Sequence, residues 1–104
     1  MLQVLAALMQ NPTEELYGLD ISERAGLQTG TIYPILVRLE RSGWVSSRWE
    51  DIDPRRAGRR PRRYYRLTGL GMREARQALA LTEQLLKSAH RDEADVARPG
   101  EVTA

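Results

Sequence analysis

Apolar residues recur along this chain first at helical spacing, then in alternation, then at helical spacing again. In LQVLAALMQ (residues 2–10) Leu2, Leu5, Leu8 and Met9 share one side of a short helix, which Asn11-Pro12 ends. Thr13 is suited to cap a second helix, with Glu14 and Glu15 at the positive end of its dipole. The stripe of that helix is Leu16, Leu19 and Ile21, it runs to Ala25, and Gly26 stops it. LQTGTIYPILVRLERS (27–42) predicts a third helix, with Ile32, Ile35, Leu36 and Leu39 on one face and Gly43 at its end. Thr29, Thr31, Tyr33, Arg38 and Arg41 fall mostly off that face. Pro34 is harmless if this helix starts near Gly30 or Thr31, and distorts the second turn if Thr29 is the cap.

Alternation follows. WVSSRWED (44–51) puts Val45, Ser47 and Trp49 on one side of a strand and Trp44, Ser46 and Arg48 on the other. RRYYRLT (62–68) does the same with Tyr65 and Leu67 against Tyr64 and Arg66. Tyr65 is expected in the core, and Trp44 is expected to pack under the helices. IDPRRAGRRP (52–61) reads as the loop between the strands. From Thr68 a long helix carries Met72, Ala75, Ala78, Leu79, Leu81, Leu85, Leu86 and Ala89, a stripe broader than so small a protein can cover by itself. Leu79, Leu81, Leu85 and Leu86, joined by Leu2, Leu5 and Leu8, are therefore the expected seam of a homodimer. The fold class is mainly α with a small β-hairpin: a winged helix-turn-helix over residues 1–68, a dimerisation helix over 69–91 and a polar tail over 92–104.

Charge changes the picture more than composition does. The 104 residues carry a formal net charge of only +2, yet RRAGRRPRRYYR (55–66) holds seven arginines and no acid. The residues before it carry −4 and those after it −1. Arginine's planar fork suits phosphates and guanine edges. Such dense like charge repels itself unless a polyanion relieves it. A basic wing beside a helix-turn-helix therefore points to double-stranded DNA.

Other chemistry finds little support. The chain has no cysteine and a single histidine, His90, so neither a thiolate site nor a histidine ligand set can form. No phosphate-binding glycine loop, calcium loop or nucleophile elbow occurs. Asp51 and Asp53 sit among arginines, where screening is the simpler role. No enzymatic activity, metal or cofactor is expected. No run of eighteen apolar residues occurs, and a cytoplasmic protein is expected.

LYGLDIS (16–22), GTIYPILVRLERSGWV (30–45), SSRWED (46–51) and GRRPRRYYRLTGLG (58–71) together resemble the PadR family of bacterial transcriptional regulators, over about residues 1–90. The resemblance implies a homodimer whose third helix enters the major groove and whose wing follows the flanking backbone or minor groove. It implies repression, often released by an effector. By position it assigns Thr29, Thr31, Tyr33, Pro34 and Arg38 to the DNA-facing helix, and Arg59, Arg60, Arg62 and Arg63 to the wing. Compact members that bind planar drugs use aromatic residues on the C-terminal helix. This helix has none, so that property is not implied here. The rival readings are a winged helix whose basic edge meets an acidic protein, and an RNA-binding edge.

Overall fold

The computed structural model describes the backbone of residues 1–96 and the side chains of residues 1–91. In chain order the elements are α1 (Leu2–Met9), β1 (Leu16–Tyr17), α2 (Gly18–Ala25), α3 (Thr29–Arg41), β2 (Val45–Trp49), α4 (Pro54–Ala57), β3 (Arg63–Leu67) and α5 (Gly69–Val96). Helices α1, α2 and α3 pack round Val4, Leu5, Leu8, Ile21, Ile32, Leu36 and Leu39. The sheet closes this core with Leu16, Val45, Tyr65 and Leu67. The architecture is a winged helix with one long appended helix.

Four details differ from the sequence expectation. The second helix begins at Gly18, not after Thr13. Leu16 and Tyr17 instead form a strand, paired antiparallel with Tyr65 and Tyr64. The hairpin thus becomes a three-stranded sheet of order β1-β3-β2. Leu16 is buried either way, and the strand conformation satisfies the edge that β3 would otherwise leave open. Second, Leu5 and Leu8 are only 1% and 2% exposed inside this chain's own core. They cannot join a seam between chains, and of the three leucines on α1 only Leu2 remains accessible.

Third, the connection between β2 and β3 is not wholly a loop. Asp53 caps the single turn α4 by accepting from the Arg55 N–H at 3.0 Å, Pro54 opens it, and Gly58 ends it at φ 70°. Asp53 therefore does more than screen charge, although its carboxylate also lies 3.8 Å from Arg56. Fourth, α5 runs to Val96, five residues beyond the expected end. The rest of the expected tail, residues 97–104, lies outside the described residues.

Helix α3 begins at Thr29 behind Gln28, which puts Pro34 in its second turn. Pro34 cannot donate to the Gly30 carbonyl, so one rung of the helix is missing where the chain is exposed.

The base of the wing, the end of α3 and the start of α5 meet at Thr68. Its hydroxyl accepts from the Gly71 N–H at 3.0 Å, capping α5, and donates to the Gly43 carbonyl at 2.6 Å. Its backbone N–H donates to the Trp44 carbonyl at 2.9 Å. Only glycine fits at 71, because a Cβ there would lie 1.9 Å from the Trp44 oxygen. Ala75 is fully buried, and Met72, Ala78 and Trp44 pack against the same core. Farther along α5, Leu81, Leu85 and Leu86 are 58%, 63% and 57% exposed.

Candidate nucleic-acid interface

The helix-turn-helix forms because Gly26 adopts the left-handed conformation after α2, at φ 68°. The Ser22 hydroxyl ties the turn by donating to the Leu27 carbonyl. The buried face of α3 is Ile32, Leu36 and Leu39, which turns Thr29, Thr31, Tyr33, Pro34 and Arg38 outward. Arg38 stands seven residues beyond Thr31, close to the same line along the helix. It borders a small recess of about 130 Å³ with Met1, Ser42 and Trp44.

Tyr33 meets the start of α2. Its ring lies over Gly18, where a Cβ would come within 2.4 Å of the tyrosine oxygen. The LYG and TIYP segments are thus in contact.

On the wing, Glu50 organises the arginines. The Arg59 guanidinium grips it with both nitrogens, at 2.6 Å to Oε1 and 3.1 Å to Oε2. The Tyr64 hydroxyl donates to Oε2 at 3.2 Å, and the Arg62 N–H to Oε1 at 3.3 Å. Arg59 above all, then these two donors, hold the Glu50 carboxyl down at about 2 against the opposing effect of burial. Glu50 in turn raises the pKa of Arg59.

A second carboxylate joins the wing to α3. Glu40 accepts from the Ser47 hydroxyl at 2.5 Å and lies 3.5 Å from the Arg63 guanidinium. Arg63 also donates from Nε to Ser47 at 3.0 Å and lies 5.2 Å over the Trp49 ring. Arg62 stacks 4.4 Å over Tyr17. Tyr17 meets Tyr64 edge to face, with ring centres 5.9 Å apart. On the same sheet Arg48 pairs with Glu15 at 2.6 Å, which lowers the Glu15 pKa.

These elements frame one cleft of about 530 Å³, where Tyr17, Gly18 and Tyr33 face Trp49, Arg60, Arg62 and Arg63. The structure therefore brings Tyr33 together with three of the four wing arginines named from sequence. Arg59 stands apart from the cleft lining because its fork is taken up by Glu50. Sequence reasoning missed Glu50, Glu40, Ser47 and Tyr17. A signal for Glu50 did exist. It is an acid placed across the hairpin from a run of arginines, and its N–H donates to the Arg62 carbonyl at 2.8 Å.

A helix-turn-helix with an arginine-rich wing on the same face defines the winged-helix class of DNA-binding regulators. Residues 4–77 match the model of the transcriptional regulator PadR-like family, and the chain belongs to that family. Solved structures agree. A PadR family transcriptional regulator from Eggerthella lenta is 29% identical, with a TM-score of 0.69 over 85% of this chain and 78% of that one. A transcriptional regulator from Clostridium thermocellum shares the fold at 22% identity and a TM-score of 0.69, covering 86% and 85%. BpsR of Bordetella bronchiseptica, whose DNA binding is regulated by 6-hydroxynicotinic acid, shares it at 18% identity and a TM-score of 0.68, covering 84% and 60%. No curated protein matches the chain. Among the described residues no helix is long and apolar enough to cross a membrane, and no three acidic or histidine side chains gather where they could hold a metal ion.

Proposed function

We propose that this chain represses transcription by binding a pseudo-palindromic operator as a homodimer. The observation that supports it most is the shared cleft, which puts Tyr33 of α3 and Arg60, Arg62 and Arg63 of the wing on one side of the molecule. In this reading Thr29, Thr31, Tyr33, Pro34 and Arg38 meet base edges and phosphates of the major groove. The wing arginines meet the neighbouring backbone. The homodimer forms along Leu81, Leu85 and Leu86, with Leu79 and Leu2 at its margin. Half-sites then lie about one helical turn, ~34 Å, apart. Control by a small ligand belongs to the proposal, in keeping with the ligand-regulated DNA binding of the similarly folded BpsR.

Fluorescence anisotropy with duplex DNA from the region upstream of the protein's own coding sequence tests this. A random duplex and an RNA of equal length serve as competitors. Two chains per duplex and preference for the upstream DNA over both competitors are expected. Equal affinity for all three, or none for any, would refute the proposal and leave the wing to a protein partner.

A further inference from the structure

Two carboxylates lie inside the arginine-rich edge, where Coulomb's law applied to a polyanion partner would favour none. Glu50 receives four donors, from both Arg59 nitrogens, the Arg62 N–H and the Tyr64 hydroxyl. Its side chain is only 16% exposed. Glu40 holds Ser47 and Arg63 from α3. Asp51, the next residue after Glu50, is exposed and makes none of these contacts. Two acids on the same edge thus differ in what they hold, although their formal charge is equal.

Resting on the DNA-binding proposal, we propose that Glu50 and Glu40 are positioning residues. Glu50 folds the wing tip so that Arg60 and Arg62 face the cleft, and Glu40 locks Arg63 and β2 onto α3. A flexible arginine loop would have to order itself on binding. A loop already folded over a carboxylate has met that entropy cost beforehand. Their contribution to affinity is therefore opposite in sign to their charge. Neutralising an unengaged acid removes repulsion, whereas neutralising Glu50 releases the arginines from their places.

The test compares wild type with Glu50→Gln, Glu50→Asp, Glu40→Gln and Asp51→Asn on one duplex across a salt series. Asp51→Asn is expected to bind as well as wild type or slightly better, with an unchanged salt slope. Glu50→Gln keeps the shape but turns one acceptor into a donor. It is expected to bind roughly tenfold more weakly, with a log–log slope shallower by about 0.9 for each phosphate no longer neutralised. Glu50→Asp keeps the charge but shortens the reach, and is expected to weaken binding as well. Glu40→Gln weakens it through Arg63. Glu50→Gln binding as tightly as Asp51→Asn at the same slope would overturn the proposal.

Hydrogen exchange without DNA judges the carboxylate separately. Amides between residues 55 and 62 should exchange faster in Glu50→Gln while those of α3 keep their protection. Unchanged exchange in the wing would also overturn the proposal. If the wild type binds no duplex, the function proposed above fails, and the exchange result still decides what Glu50 does to the wing.

Discussion

Glycines 18 and 71 both lack room for a methyl group, but what stands in the way differs. At Gly71 it is the Trp44 backbone, 1.9 Å from where Cβ would be, so the chain itself must move. Gly71→Ala is expected to destabilise the fold by about 1–3 kcal/mol or more, as overpacked sites do, and chemical denaturation measures this. At Gly18 the obstacle is the outer end of the Tyr33 ring, which is 46% exposed and free to swing away. Gly18→Ala is expected to leave the denaturation midpoint nearly unchanged while moving Tyr33 and weakening DNA binding. Glu50 adds a pH dependence at this scale. Its carboxyl falls from 4.5 to about 2 on folding, so its stabilisation of the wing is complete above pH 4.5 and is lost as pH falls towards 2. A carbon-detected NMR titration of the Glu50 carboxyl should give a midpoint near the lower value; one near 4.5 would mean that the Arg59 grip does not hold in solution. The separate fates of Arg59, Arg60 and Arg63 were not legible in the sequence. Adjacent arginines look alike until a hairpin register sets an acid beside one of them.

Elements were legible where periodicity was long and the stripe unambiguous. Ile32, Leu36 and Leu39 define α3, and the same pattern over many turns defines α5. The two-residue strand β1 was not legible, since Leu16 suits a helical stripe as well as a sheet. What decides is the free edge of β3, almost fifty residues away. Leu5 and Leu8 failed for a similar reason: an apolar face announces burial but not which surface covers it. The leucines of α5 give the clearest expectation for an element. Leu81, Leu85 and Leu86 stand beyond the last residue packed on the core. Burying a leucine contributes about 1.5–3 kcal/mol, so a second copy gains much by covering three. Leu81→Asp with Leu85→Asp is expected to yield folded monomers in sedimentation analysis. Dimers of unchanged affinity would place the seam elsewhere.

Across the whole molecule, the winged-helix outline and the basic edge could be read from the order of periodicities and the gathering of arginine. The three-dimensional link between α3 and the wing could not, because it passes through Glu40, Ser47 and Arg63, which no local pattern joins. That link separates two kinds of contact. Arg60→Ala should flatten the salt dependence on every duplex, by about 0.9 in log–log slope for each phosphate that Arg60 neutralises. Arg38→Ala or Thr31→Ala should narrow the gap between operator and random DNA while leaving that slope nearly intact. Salt titrations on both duplexes check the pair, and equal losses on both for Arg38→Ala would contradict the assignment.

Thr68 has a consequence at larger distance. Its hydroxyl and backbone N–H fasten the root of α5 to the Gly43 and Trp44 carbonyls, just after the end of α3. In a pair of chains joined along α5, the crossing angle of the two long helices would act as a caliper, opening or closing the gap between reading heads. Side chains remote from any nucleotide would then select how many base pairs separate the half-sites, and the letters within each half-site would be chosen independently.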